Sequence, residues 1–116
     1  MSESLNYDEL NKAWKAIEDR IASSGCPYET EVDAGEGRKL AWMWSKGSFR
    51  ICVIQNGDHI SPVLDSKFHH RIELVEYVES LEKAIIPQLS KARHAIDEAS
   101  RKLNVYLASS AKRKRG

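Results

Sequence analysis

The stretch Leu40-Ala41-Trp42-Met43-Trp44-Ser45-Lys46-Gly47-Ser48-Phe49-Arg50-Ile51-Cys52-Val53 decides the fold. Two runs alternate large apolar residues with others, and Lys46-Gly47 separates them. This is the pattern of two antiparallel strands joined by a tight turn. A two-residue loop pairs Ser45 with Ser48. Trp44 then lies opposite Phe49, Trp42 opposite Ile51 and Leu40 opposite Val53. All six fall on one face, so turn and hydrophobic pattern specify the same register. Three such pairs contribute roughly 0.2–1 kcal/mol each beyond alanine pairs. The opposite face sets Met43 beside Arg50 and Ala41 beside Cys52, and is expected to be half exposed. Lysine is a poor first residue for a type I′ turn, so a three-residue loop with Gly47 left-handed is the alternative.

N-terminal to the hairpin, residues 1–25 read as a capped amphipathic helix. Asn6 is the N-cap and Glu9 completes a capping box, with Leu5 and Leu10 placed for a hydrophobic staple. Leu10, Trp14, Ile17 and Ile21 form one helical face. Gly25 and Pro27 stop the helix. Tyr28 to Val32 alternates as a short strand, and residues 33–37 read as a turn or loop.

C-terminal to the hairpin, Asn56-Gly57 marks a second turn and His59-Ile60-Ser61 a brief strand ended by Pro62. Asp65 or Ser66 then caps a long helical pattern. Leu74, Val78, Leu81, Ile85, Leu89, Ala92, Ile96, Ala99, Leu103 and Tyr106 recur at three- and four-residue steps, as in an a/d seam. Pro87 is expected to kink or break this helix. Unbroken from 66 to 108, the helix would be on the order of 65 Å long. A compact chain of this size has a radius of gyration of only roughly 13–14 Å. The chain therefore either folds back near Pro87 or projects. The seam stays in register across Pro87, which favours a projecting helix. The expected fold is α+β, in the order helix, small antiparallel sheet, long C-terminal helix. It forms one domain over 1–108, followed by a disordered basic tail over 109–116.

Charge is divided along the chain. Residues 1–87 hold 10 Lys/Arg and 15 Asp/Glu, a balance of −5, and residues 88–116 hold 8 and 2, a balance of +6. An acidic body with a basic end binds two unlike partners or pairs its own ends. Hydrophobic residues at 41% and charged residues at 30% are ordinary for a soluble domain. No apolar run approaches the length needed to span a bilayer, so no membrane partner is expected. The first four residues lack the basic-then-apolar pattern of a signal peptide. The two cysteines make no disulfide framework and point to a reduced, cytoplasmic compartment.

Nothing reads as a catalytic or cofactor motif: GxSxG, HExxH and the Walker loop are absent from the sequence. No enzyme activity and no cofactor are expected. Asp65, His69 and Glu73 share a helical spacing that could offer metal ligands, with His70 nearby, but solvated first-turn residues explain them better and no metal is assigned. Trp42, Trp44 and Phe49 are expected to be core, with Trp44, nearest the turn, reaching solvent. Trp44 and Arg50, together with the acidic row Glu73, Glu76, Glu79 and Glu82, are the candidate partner-binding residues. Leu89, Ala92, Ile96, Ala99, Leu103 and Tyr106 are the candidate dimerisation seam. Arg101, Lys102, Lys112, Arg113, Lys114 and Arg115 are candidate phosphate contacts under a nucleic-acid-binding alternative.

Leu40-x-Trp42, Arg50-Ile51, Pro62-Val63-Leu64 and Arg71-Ile72 leading into a helix are similar to the pattern of small uncharacterised accessory proteins of bacteriophages and other mobile elements. The resemblance covers about residues 38–85. It implies a phage or bacterial origin and a role in binding host enzymes, defence nucleases among them, as an anti-CRISPR protein does. It brings no active-site residue with it. The expected function is therefore a phage-encoded inhibitor that occludes a host protein, acting as a homodimer in the host cytoplasm. The alternative is an accessory protein that binds nucleic acid through its basic end.

Overall fold

The structure, a computed structural model, describes residues 4–115, with side chains described for residues 4–111. The elements are α1 (Asp8–Ser23), β1 (Thr30–Asp33), β2 (Arg38–Ser45), β3 (Ser48–Gln55), β4 (His59–Pro62), α2 (Phe68–Glu73) and α3 (Val78–Arg115). Short 3-10 turns over Val63–Asp65 and Leu74–Tyr77 flank α2. The fold is α+β, with one four-stranded antiparallel meander in the order β1-β2-β3-β4.

The central hairpin has the register its pattern requires. Leu40 pairs with Val53, Trp42 with Ile51, Trp44 with Phe49 and Ser45 with Ser48. Lys46 and Gly47 both have positive φ, 53° and 90°. That is the two-residue type I′ geometry, whose twist matches the strands, so lysine is accommodated there. The short strands expected at Tyr28–Val32 and His59–Ser61 form as β1 and β4, one on each flank of the hairpin.

Both helices lie on the Trp42 face of the sheet, α1 over β3 and α3 over β1 and β2. Trp14 and Ile21 of α1, Leu40, Trp42, Ile51 and Val53 of the sheet, and Leu74, Leu81 and Ile85 beyond it form one buried cluster. Fully burying each such aliphatic side chain contributes about 1.5–3 kcal/mol. Both buried indoles keep their N–H bonded, Trp14 to Arg71 O at 2.9 Å and Trp42 to Cys26 O at 3.3 Å. This lets the two largest residues sit inside without an unpaired donor.

Four local expectations change. α1 begins later than the capping box places it: Tyr7, not Asn6, is the N-cap, without a side-chain cap bond. Asn6 Oδ1 instead accepts the Asp8 N–H at 2.9 Å, and Leu5 is 79% exposed, so neither the box nor the staple to Leu10 is made. The helical pattern from residue 66 is split: α2 starts at Phe68 with Lys67, not Asp65 or Ser66, at its N-cap and ends at Glu73, and a 3-10 turn intervenes before α3. On the sheet's other face Ala41 and Cys52 are buried rather than half exposed. They are small, and the larger neighbours Met43, Arg50 and Pro62 on that face shield them. Finally, α3 continues to Arg115, so Ser109 to Ala111 are helical where a tail was expected.

The long helix passes through Pro87 as a single element. It carries the chain well away from the sheet: the radius of gyration is 19.7 Å and the long dimension 82 Å. Among the described residues no helix is long and apolar enough to cross a membrane.

Candidate functional site

Two surfaces stand out, the tip of the β2–β3 hairpin and the projecting half of α3. At the tip, Trp44 is 58% exposed and meets Phe49 edge-on, with ring centroids 5.6 Å apart. Phe49 in turn stacks on the buried Trp42, also at 5.6 Å. The indole of Trp44 is thus held by a rigid aromatic ladder rising from the core. The Trp44 backbone N–H donates to Glu29 Oε2 at 3.1 Å, which fixes the strand end beneath the indole.

Arg50 does not join Trp44. Adjacent residues on a strand point to opposite faces, and Arg50 lies on the far face, where its Nε donates to Ser45 O at 3.2 Å. The acidic row is likewise dispersed, and most of it is engaged within the protein. Glu73 accepts from Arg38 Nη1 at 2.6 Å, Glu79 from Lys83 at 2.8 Å and Glu82 from Arg20 Nε at 2.9 Å. The Arg38 hydrogen bond holds the Glu73 carboxyl below the usual carboxylate range, and Lys83 does the same for Glu79. Glu76 stays exposed on the 3-10 turn. A continuous negative stripe for a basic partner is therefore not what these four residues make.

The metal candidates are also separated by their partners. Asp65 accepts from Lys46 at 3.0 Å and Glu73 faces Arg38. The His69 ring lies tilted against that of His70, with centroids 4.2 Å apart. Among the described residues no group of three His, Cys, Asp or Glu is placed to hold a metal ion. Burial pushes the Cys52 thiol up to about 11, which keeps it protonated and a poor nucleophile.

The seam of α3 divides into two halves. Leu89 packs on the core edge and Ala92 is 4% exposed, so both belong to the head rather than to a second chain. Beyond Ala92, Ile96 is 57%, Leu103 62% and Tyr106 64% exposed, and Ala99 is exposed beside them. Leu107 and Val105 are exposed on the same segment. Arg93 and Arg101 are exposed there too, and Lys102 lies 3.7 Å from Glu98. The side chains of Lys112, Arg113, Lys114 and Arg115 lie outside the described residues.

Three features had no usable sequence signal. Arg38 is buried, bonded to Glu73 and directed at the Ala34 and Gly35 carbonyls. Glu18 is buried and accepts the Ile51 N–H at 3.1 Å. That donor lies beyond the end of β4 at Pro62, so α1 supplies the acceptor the ladder lacks. Between α1 and the start of α3 lies a groove of about 390 Å³, walled by Leu10, Ala13, Ile17, Val75 and Val78. Each depends on chain segments brought together from 33 or more residues apart, which no local pattern reports. No family model, curated protein or solved structure matches the chain.

Proposed function

We propose that this chain is a non-enzymatic binding protein that acts by occluding a macromolecular partner and self-associates through the projecting half of α3. Its concrete form is a phage-encoded inhibitor of a host defence nuclease, of the anti-CRISPR kind, working in the host cytoplasm. One observation carries the binding reading. α3 leaves its own head after Ala92 and goes on presenting Ile96, Leu103, Tyr106 and Leu107 to solvent. Helices are marginal in water unless an apolar face is packed, and large exposed apolar patches mark interaction sites. The head contributes Trp44, a rigid, exposed aromatic of the type that dominates binding energies. The inhibitor form is supported by the resemblance over residues 38–85.

The test is plasmid cleavage by a panel of purified RNA-guided nucleases with increasing amounts of this protein. Suppression of one of them is expected. Trp44→Ala should raise the concentration required at least tenfold while losing no more than about 1 kcal/mol of stability, that of its cross-strand pair with Phe49. Trp42→Ala, by contrast, should lose roughly 3–5 kcal/mol of stability. Cleavage unchanged across the panel at tens of micromolar protein would rule out the inhibitor form.

Exposed Arg93 and Arg101 on a helix held away from the head support a second reading, nucleic-acid binding through the basic end. Its signature is duplex binding that weakens with salt at a slope near −0.9 per phosphate neutralised.

A further inference from the structure

Eighteen residues return an α-helix to its starting azimuth, since five turns of 3.6 residues make eighteen. In α3 that interval relates the residues packed on the head to those beyond it. Leu81 superposes in azimuth on Ala99, Ile85 on Leu103 and Leu89 on Leu107. Leu81 and Ile85 are buried against the head and Leu89 is packed on its edge. Ala99, Leu103 and Leu107 are exposed. The stripe that binds the head therefore runs straight on into solvent, on the same side of the helix as the head.

This placement limits what can cover the stripe. A second α3 laid parallel and in register would have to continue along the same side over residues 78–92. That volume is filled by the first chain's own β1 and β2. A second α3 laid antiparallel meets no such obstacle. It covers residues 96–110, its tip stops against the first head, and its own head lies beyond the first chain's tip. Charge favours the same choice. The antiparallel pair sets the basic end of each chain, +6 over residues 88–116, towards the acidic body of the other, −5 over residues 1–87. The parallel pair sets like beside like.

We infer that the exposed stripe Ile96, Ala99, Leu103 and Leu107 is the contact for a second copy of this chain, packed antiparallel so that the two heads stand at opposite ends of a shared helical stalk. The inference rests on the self-association reading above and adds the orientation and the placement of the heads. A consequence for that reading is that the two Trp44 tips are far apart, so one dimer engages two partner molecules independently.

Small-angle scattering with light scattering on the full chain tests it. Residues 93–115 make a stalk of about 34 Å, which leaves about 48 Å of the 82 Å long dimension for each head. An antiparallel dimer is then on the order of 130 Å long with two separated lobes. A dimer no longer than about 90 Å would overturn the antiparallel arrangement and leave self-association standing. A monomer at 100 micromolar would overturn both. Leu103→Asp, at a position outside the core, should convert a 130 Å dimer to a monomer whose head stays folded, read from the near-ultraviolet circular dichroism of its buried tryptophans, while the stabilisation that association supplies is lost. Retention of the dimer in that variant would show that the stripe is not the contact.

Discussion

At the residue scale, Trp42 and Trp44 differ by two positions and by nearly the whole range of exposure, 1% against 58%. They share a face of β2. What separates them is distance from the turn: α1 and α3 cover the centre of the sheet and stop short of its tip. His70 shows how a polar residue can be tuned by the same core. It is 3% exposed, its Nε2 lies 3.1 Å from the Gln55 side-chain amide, and its Nδ1 is buried without a hydrogen-bond partner. Burial first, then His69 and Arg38, lowers its pKa below the ordinary value of 6.5. The folded state thus binds fewer protons than the unfolded state once the pH drops below about 6.5. Stability should be flat above that pH and decline as the pH falls from about 6.5 towards the lowered folded value. Urea midpoints at pH 7.5 and 5.5 should differ for the parent and converge for His70→Gln. Equal midpoints in the parent would show that the imidazole charges in place at no cost.

At the element scale, α3 is the unusual member. Pro87 sits in its interior yet the helix continues on both sides. Proline there lacks the N–H for the i−4 carbonyl and crowds that residue, at a cost of about 3 kcal/mol relative to alanine in a helix interior. Pro87 is exposed, so no core contact offsets this. Replacing it by alanine should therefore raise stability by about 1–3 kcal/mol in denaturant titration. A Pro87→Ala variant that is no more stable but no longer dimerises would show that the proline sets the direction of the stalk. The hairpin makes the opposite point. Its apolar alternation, its turn length and its positive-φ pair all agree, and the register follows from them without help from the rest of the chain.

At the scale of the whole molecule, the head is closed by its own core and the stalk is not. The two should therefore separate in experiment. Truncation after Ser110 removes the four basic residues Lys112–Arg115 and none of the apolar stripe. It should leave the dimer and any inhibition intact and make dimerisation less sensitive to salt, because the stripe holds the chains together and the charges only bias them. Sedimentation at 50 and 500 mM salt measures this. Dissociation to monomers at both salts would mean that the basic end, rather than the stripe, carries the contact. Complete loss of activity, with a salt slope smaller by about three or four, would instead promote the nucleic-acid reading.

Local patterning is enough to read the hairpin and its register, the face of α1, the α+β class and the apolar seam of α3. Each is written in a period of two or 3.6 residues or in a turn pair, so neighbours within one element are enough to read it. Only the folded chain shows which half of the seam is core and that Glu73 and Glu82 are engaged by Arg38 and Arg20. It also shows that Arg38 and Glu18 are buried. The reason is physical. Periodicity says which side of an element is apolar but not what lies against it. An ion pair such as Arg38–Glu73 joins residues 35 apart in sequence and exists only once the chain has closed around it.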